Sequence, residues 1–497
     1  MSRPILPSSL TPYQVISRFA EWGVEVPGAT DDSRQIQAGE LFIAYADEIA
    51  DRRNFIDDAI RRGAAAVLWE PGGAFSWNPD WRVPNIQATG LRSLCGPLAH
   101  TVFGQPCERL SLIAVTGTNG KTTISQWLGR AHPRRCAVIG TLGAGFVEEL
   151  RETGFTTPEA TTLARYLRRF ADAGAEACAV EASSIGIEEG RMDGTRVDVA
   201  IFTNLTRDHL DYHGSMEDYA AAKERLFKWP RLRLAVINLD DPFGLLLAAR
   251  TTAAKVLCYT QSEQADDRPG MVRADRVEET LSGMRFTLCA PNGRASVETG
   301  LLGRYNLSNL LAVAAVLIDA GLTPAEVARH FATLQPPPGR LEKVGGNNEP
   351  LIAVDYAHTP DALENALKAL RGVAQARGAG LTVIFGCGGD RDRGKRPLMG
   401  AIATRLADRV VVTSDNPRSE KPEAILHEIS AAAPDAEVIV DRGEAIRRTV
   451  LAAHPAEVIL LAGKGHEPYQ EIAGVRRPFS DVAEARAALA ARLEIHT

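Results

Sequence analysis

The sequence predicts an α/β protein of three domains: a smaller N-terminal α/β domain, a central parallel-sheet domain and a C-terminal open-sheet domain. Three observations predict it. Short apolar runs alternate with amphipathic stretches along most of the chain, as strands and their covering helices do when they form layers. A glycine-rich loop stands between an apolar run and a helical stretch near residue 120. The 497 residues suffice for about three domains at roughly 150 residues each.

Composition narrows the class. Apolar residues make up 45% and charged residues 24%, enough to bury a large core beneath a soluble surface. A net charge of −6 without a basic tract gives no reason to expect a nucleic-acid partner. No apolar run reaches membrane-spanning length, and Met1-Ser2-Arg3-Pro4 does not open a signal peptide. The seven cysteines form no CxxC pair, which argues against a disulfide or zinc framework and for a reducing cytoplasm.

In chain order, the run 64–68 reads as a strand of the N-terminal domain, 1–108. The runs 112–115, 197–202 and 234–237 read as strands of the central domain, 109–335. Gln335-Pro336-Pro337-Pro338-Gly339 makes a stiff extended connector. Beyond it, the runs 381–385, 410–412 and 458–461 read as strands of the C-terminal domain, 336–497.

The loop Gly117-Thr118-Asn119-Gly120-Lys121-Thr122 follows the run 112–115 and opens a helical stretch at Thr123. Glycines let backbone amides close on phosphate oxygens, and a helix N-terminus adds its positive end. Lys121 suits the β- and γ-phosphates of ATP, and the Thr122 hydroxyl suits Mg²⁺. Val115 stands where the general phosphate-loop pattern has its first glycine.

Two polar segments follow strands of the same domain, around Glu181-Ala182-Ser183-Ser184 and around Asp208-His209. Glu181 and His209 there suit Mg²⁺. His209 and His213 have the i, i+4 spacing of a zinc pair but lack further ligands of that kind. Lys223 shares a helical face with Tyr219, Leu226 and Phe227. Such a lysine usually snorkels to water; carbamylation by CO₂ is the alternative, and spacing leaves both open.

Four C-terminal runs lead into polar loops carrying Asp355 and His358, Arg391, Asp415 to Arg418, and Gly463 to Glu467. In an open parallel sheet such loops converge on one crevice. A strongly basic crevice is expected, with Arg391 and Arg418 for carboxylates and Glu467 for an ammonium, hence an amino-acid ligand.

Taken together, GTNGKTT (117–123), EASS (181–184), TNLTRDHLDYHG (203–214), YAAAK (219–223), GRLE (339–342), DYAHTPDALE (355–364), DNPR (415–418) and GKGHE (463–467) resemble the Mur ligases, in their diaminopimelate-adding branch. The resemblance covers nearly the whole chain. It implies a central P-loop ATPase-like sheet, a Rossmann-like C-terminal domain and ATP with Mg²⁺ as cofactors. It further implies that Ser33 and Arg34 hold a uridine nucleotide, and that Thr156, Thr157, Ser183 and Arg191 hold its muramoyl dipeptide. Gly117 to Thr123, Asn306, Asn309, Arg340, Asp355 and His358 would hold ATP. Arg391, Asp415, Asn416, Pro417, Arg418, Gly463 and Glu467 would hold diaminopimelate. Lys121, Lys223, His209 and Glu181 would serve catalysis, Thr122, Glu181, His209 and Lys223 the metal, with Lys223 carbamylated. The implied reaction makes an acyl phosphate and then an amide, in a cytoplasmic monomer acting on small molecules. Ile185, Phe155 and residues 45–52 depart from the family pattern. A lysine-adding ligase and a nucleotide-binding homologue without turnover are the alternatives.

Overall fold

The computed structural model describes residues 8–47, 50–263, 269–280, 283–346 and 348–496. Met1 to Pro4, and Glu48 and Ile49 of the segment 45–52, lie outside them. Three main sheets follow one another along the chain. The first is parallel, in the order Ala29–Thr30, Leu41–Ala44, Ala66–Trp69, Asn85–Gln87. The strand expected at 64–68 starts two residues later, because the Ala64 N–H is still bonded to the Ala59 carbonyl at the end of a helix.

The second sheet has ten strands, with Ser111–Thr116 between Ala177–Glu181 and Val199–Phe202. Ser111–Thr116 is covered on both faces, which is why it reads as a continuous apolar run. Ile113 and Val115 pack with Ile124, Trp127 and Leu128 of helix Lys121–Ala131 and with Leu310 and Ala314 of helix Arg304–Asp319. Leu112 and Ala114 pack on the opposite side with Leu163 and Leu167 of helix Ala160–Asp172. Alternate side chains thus enter two cores.

At one end the sheet turns antiparallel through Met271–Glu279, Met284–Ala290 and Gly293–Thr299. The sequence reading placed no strands there. Met284–Ala290 alternates buried Met284, Phe286 and Leu288 with outward Arg285 and Thr287, so a single covered face leaves no apolar run.

The third sheet runs Arg340–Gly345, Leu351–Asp355, Val458–Ala462, Leu381–Phe385, Arg409–Val412, Glu437–Val438. All neighbours are parallel except the first pair. The expected convergence follows, since the four strands that end at Asp355, Phe385, Val412 and Ala462 are consecutive and parallel. The connector does not hang free: the Trp127 indole N–H donates to the Gln335 carbonyl at 2.9 Å.

Beneath that edge lies a wholly buried ion pair. Arg442 donates to both carboxylate oxygens of Asp481 at 2.7 and 2.6 Å, and to the carbonyl of Ala462 at 3.0 Å. Removing one partner of such a pair leaves a charge uncompensated in the core. Asp481→Ala is therefore expected to lower unfolding stability by about 3–5 kcal/mol, measured by urea denaturation; a loss below 1 kcal/mol would contradict this.

Candidate active site

The phosphate loop is shaped by contacts that only glycine permits at two positions. Gly117 has φ +145°, and a Cβ there would stand 1.8 Å from the Thr203 hydroxyl. Gly120 has φ +90°, and its Cβ would stand 2.5 Å from the Asn309 side-chain oxygen. The loop is clamped from the segment after Val199–Phe202. Thr203 donates to the Asn119 carbonyl at 2.6 Å, Asn204 accepts from the Asn119 N–H at 2.9 Å, and the Thr206 N–H donates to Thr118 Oγ1 at 2.9 Å. Lys121 folds over the loop, donating to the carbonyls of Gly117 and Thr118 at 2.8 Å each.

Thr122 and Glu181 meet as expected: the hydroxyl donates to the carboxylate at 3.0 Å. Glu181 also accepts from the Thr141 N–H at 2.9 Å and its hydroxyl at 3.1 Å. Hydroxyl and carboxylate oxygens beside a phosphate loop fit Mg²⁺, a hard cation. Among the described residues no three His, Cys, Asp or Glu side chains are grouped to hold a metal. His209 pairs with Asp208 at 3.4 Å, while His213 contacts Ser184 and Glu188. The two histidines are thus separately engaged.

Two cavities adjoin the loop. One, of about 380 Å³, is lined by Asn119, Gly120, Thr123, Asn309, Arg340 and Asp355 together with Asp240, Arg304 and Asn365. Asn306 is not on its wall; it donates to the Leu302 carbonyl at 2.9 Å and buttresses Asn309 at 3.4 Å. The other, of about 470 Å³, is lined by Lys121, Thr122, Glu181, His209 and Lys223, by Thr156, Thr157, Ser183 and Arg191, and by His358 and Arg391. Thr157 donates to the Glu181 carbonyl at 2.6 Å, and Arg191 to the Thr157 carbonyl at 3.0 Å.

Lys223 does not snorkel. It is 1% exposed, with its ammonium nitrogen 4.2 Å from the centre of the Tyr219 ring. Burial drives its pKa well down, and the nearby Lys121 adds to that. The neutral amine so favoured is the form that reacts with CO₂.

Loops of the third sheet close the cavities. Arg340 donates to Thr122 Oγ1 at 3.1 Å, Asp361 accepts from the Asn119 side chain at 3.0 Å, and Arg207 pairs with Asp392 at 2.9 Å. The sequence reading assigns no role to Asp208, Tyr219, Asp361 and Asp392. The polar runs 203–214, 355–364 and 386–397 contain the three aspartates, whereas Tyr219 figures in that reading only as an apolar neighbour of Lys223.

The crevice at the sheet edge is less basic than expected. Arg393 and Arg396 pair with Glu428, Arg396 also pairs with Glu420, and Lys395 donates to the His358 carbonyl at 2.8 Å. Lys464 is spent on Glu467 at 3.0 Å and Asn416 at 3.1 Å. Charge placed among buried loops has to be paired, so the crevice is mixed. Arg418, in left-handed backbone with φ +52°, donates to the Gly389 carbonyl at 2.8 Å, and Arg391 to the Asp390 carbonyl at 3.0 Å. Asp415 presents a buried oxygen that the Gly463 backbone approaches closely enough for a Cβ to stand 2.4 Å away. Pro417 lies against Gly389. In the short helical turn Ser33–Gln35 that follows the strand Ala29–Thr30, Ser33 is buried, whereas Arg34 is exposed and paired with Asp32 at 2.9 Å; neither lines the two cavities.

Parallel sheets, a phosphate loop and facing loops on a third domain-sized unit define a class. Residues 115–317 match the Mur ligase middle domain and residues 339–465 the Mur ligase glutamate ligase domain; the chain belongs to the Mur ligase family. It is 47% identical to the UDP-N-acetylmuramoyl-L-alanyl-D-glutamate–2,6-diaminopimelate ligase of Chromobacterium violaceum, over 94% of this chain and 95% of that one. A solved ligase of the same description is 38% identical with a TM-score of 0.66, covering 95% and 96% of the two chains. The MurF ligase of Thermotoga maritima, solved with ADP, shares the fold at 18% identity and a TM-score of 0.63, over 95% and 99%.

Asp355 links the site to pH. Burial pushes its carboxyl from 3.8 up to about 6, against the pull of Arg340 and the Leu341 N–H. A raised folded-state value means that its contribution to stability is full below about pH 4 and is lost as pH rises through about 6. Asp355→Asn should shrink the fall in unfolding free energy between pH 4 and pH 7 by roughly 2–3 kcal/mol. Paired urea titrations at the two pH values check this, an unchanged fall being the contrary result.

Proposed function

We propose that the chain joins 2,6-diaminopimelate to the D-glutamate side-chain carboxylate of UDP-N-acetylmuramoyl-L-alanyl-D-glutamate, at the expense of ATP, in peptidoglycan precursor synthesis. One observation carries the reading: Lys121 and Thr122 of the phosphate loop, Arg191 and the buried Lys223 share one cavity, with Arg391 reaching it from the acceptor loops.

ATP lies in the smaller cavity with its phosphates toward Lys121, and the dipeptide carboxylate lies in the larger one, near Thr157, Ser183 and Arg191. The carboxylate attacks the γ-phosphorus, and ADP leaves. The amine then attacks the acyl phosphate, and a tetrahedral intermediate collapses to amide and phosphate. Oxygen charge develops in each step, and Lys121 and the loop amides stabilise it without reorganising. Mg²⁺, held by Thr122 and Glu181, supplies further positive charge when bound. The Arg340–Thr122 and Asn119–Asp361 contacts bring donor and acceptor loops together, which supplies proximity.

Arg418 and Arg391 lack a carboxylate partner within ion-pair distance among the described residues, which suits them to the two carboxylates of diaminopimelate. The buried, unpartnered Asp415 oxygen suits an ammonium, whereas the Glu467 charge is already answered by Lys464. No helix among the described residues is long and apolar enough to cross a membrane, and no disulfide is present among them. We place the reaction in the cytoplasm, on small molecules, by a monomer.

Phosphate release is expected only when the muramoyl dipeptide and diaminopimelate are both present; equal turnover with lysine would sink the acceptor assignment. Arg418→Ala should erode discrimination against lysine by about 5- to 150-fold, the equivalent of roughly 1–3 kcal/mol, read as a ratio of kcat/KM values. Lys223→Ala should abolish turnover and recover part of it with small carboxylates, whereas near-normal activity would remove the carbamate from the mechanism.

A further inference from the structure

Three side chains in a line leading away from the larger cavity have no part in the steps above. Ser184 lines the cavity beside Ser183 and begins helix Ser184–Glu188, directly after the strand that ends at Glu181. Its oxygen lies 2.9 Å from Nε2 of His213. The other ring nitrogen, Nδ1, lies 3.0 Å from the carboxylate of Glu188. The His213 side chain is wholly buried, while that of Glu188 is 26% exposed. The groups therefore form a line from the reaction cavity, through the protein, to solvent.

Burial lowers the pKa of the His213 ring, while Glu188 and Asp218 oppose it. Tyr219, at 5.2 Å between ring centres, packs against it from helix Met216–Glu224, and Tyr212 does so at 4.8 Å from its own helix. A proton on Nδ1, on the side that faces Glu188 at 3.0 Å, leaves Nε2 to accept from the Ser184 hydroxyl.

The chemistry requires such a group. The acceptor arrives as an ammonium, whose nitrogen has no lone pair until a proton leaves. Lys121, Arg191 and Arg391 are cationic or hydrogen-bond donors, and the Glu181 oxygens already accept from Thr122 and Thr141. Asp208, His209 and His358 also line the cavity but face one another, Asp208 lying 3.4 Å from His209 and 4.0 Å from His358. We propose that Ser184, His213 and Glu188 are the proton relay that frees the attacking amine, an inference that rests on the ligase reading above. The ammonium passes a proton to Ser184 Oγ as the hydroxyl's own hydrogen moves to His213 Nε2. The amine forms its C–N bond to the acyl carbon, whose carbonyl π electrons move onto oxygen. On collapse the C–O bond to phosphate breaks with its electron pair on the phosphate, which takes the second proton from nitrogen. The imidazolium, paired with Glu188, releases its proton to water at the exposed carboxylate. Ser184 is the residue that touches the substrate; His213 and Glu188 act through it.

The test separates the two half-reactions in Ser184→Ala and His213→Gln. Acyl-phosphate formation is read without acceptor, as positional isotope exchange within ATP in the presence of the muramoyl dipeptide. Aminolysis is read with diaminopimelate, and also with hydroxylamine, which is uncharged at neutral pH and has no proton to lose before it attacks. Both variants are expected to slow amide formation with diaminopimelate by about 100-fold or more, while isotope exchange and hydroxamate formation stay near the unaltered protein's rates. A parallel loss of all three rates, as a structural role would give, overturns the relay, and so does undiminished amide formation. Failure of the unaltered protein to form product from the dipeptide and diaminopimelate would instead overturn the ligase reading, and the relay with it.

Discussion

Thr203 reaches across the phosphate loop: its hydroxyl donates to the Asn119 carbonyl at 2.6 Å and occupies the place where a side chain on Gly117 would begin. The rest of the site depends on that contact. It sets the loop against the end of strand Val199–Phe202, with Thr122 bonded to Glu181. It also leaves the Asn119 side chain to bond Asp361 on the third sheet. A side chain at Gly117 would push the loop away from both partners. Glycine is required here less for flexibility than for the close packing of two backbones.

Around this contact the fold places charge where water does not reach. Asp481 answers Arg442 with a bidentate pair, and Glu420 and Glu428 answer the wholly buried Arg396. Among the described residues Lys223 has no such partner within ion-pair distance, and burial favours its neutral form instead. Structural charges are thus paired, whereas Lys223, Asp355 and the His213 ring have shifted proton affinities beside the cavities. Such shifts concentrate where chemistry is done.

Much of the architecture was legible because it is local. A strand buried on both faces reads as an unbroken apolar run, as 112–115 does, and glycines at positive φ announce the loop that follows. The antiparallel extension from Met271 to Thr299 escaped notice because one covered face spreads its apolar residues among charged ones. The expected basic crevice was misjudged for a related reason. Counting arginines and lysines in 386–397 took no account of Glu420 and Glu428, which arrive from the next loop and helix to pair with two of them.

The sequence by itself determined the layered α/β class, the phosphate loop, and the gathering of four C-terminal loops at one sheet edge. Each of these follows from neighbouring residues and from the rule that parallel strands present their loops together. Only the tertiary structure decided the burial of Lys223, the retreat of Asn306 behind Asn309 and the Ser184–His213–Glu188 line. It also decided the contact between Asn119 and Asp361, 242 residues apart. The reason is physical. Solvation and proton affinity depend on everything packed around a group, and most of that packing comes from remote parts of the chain.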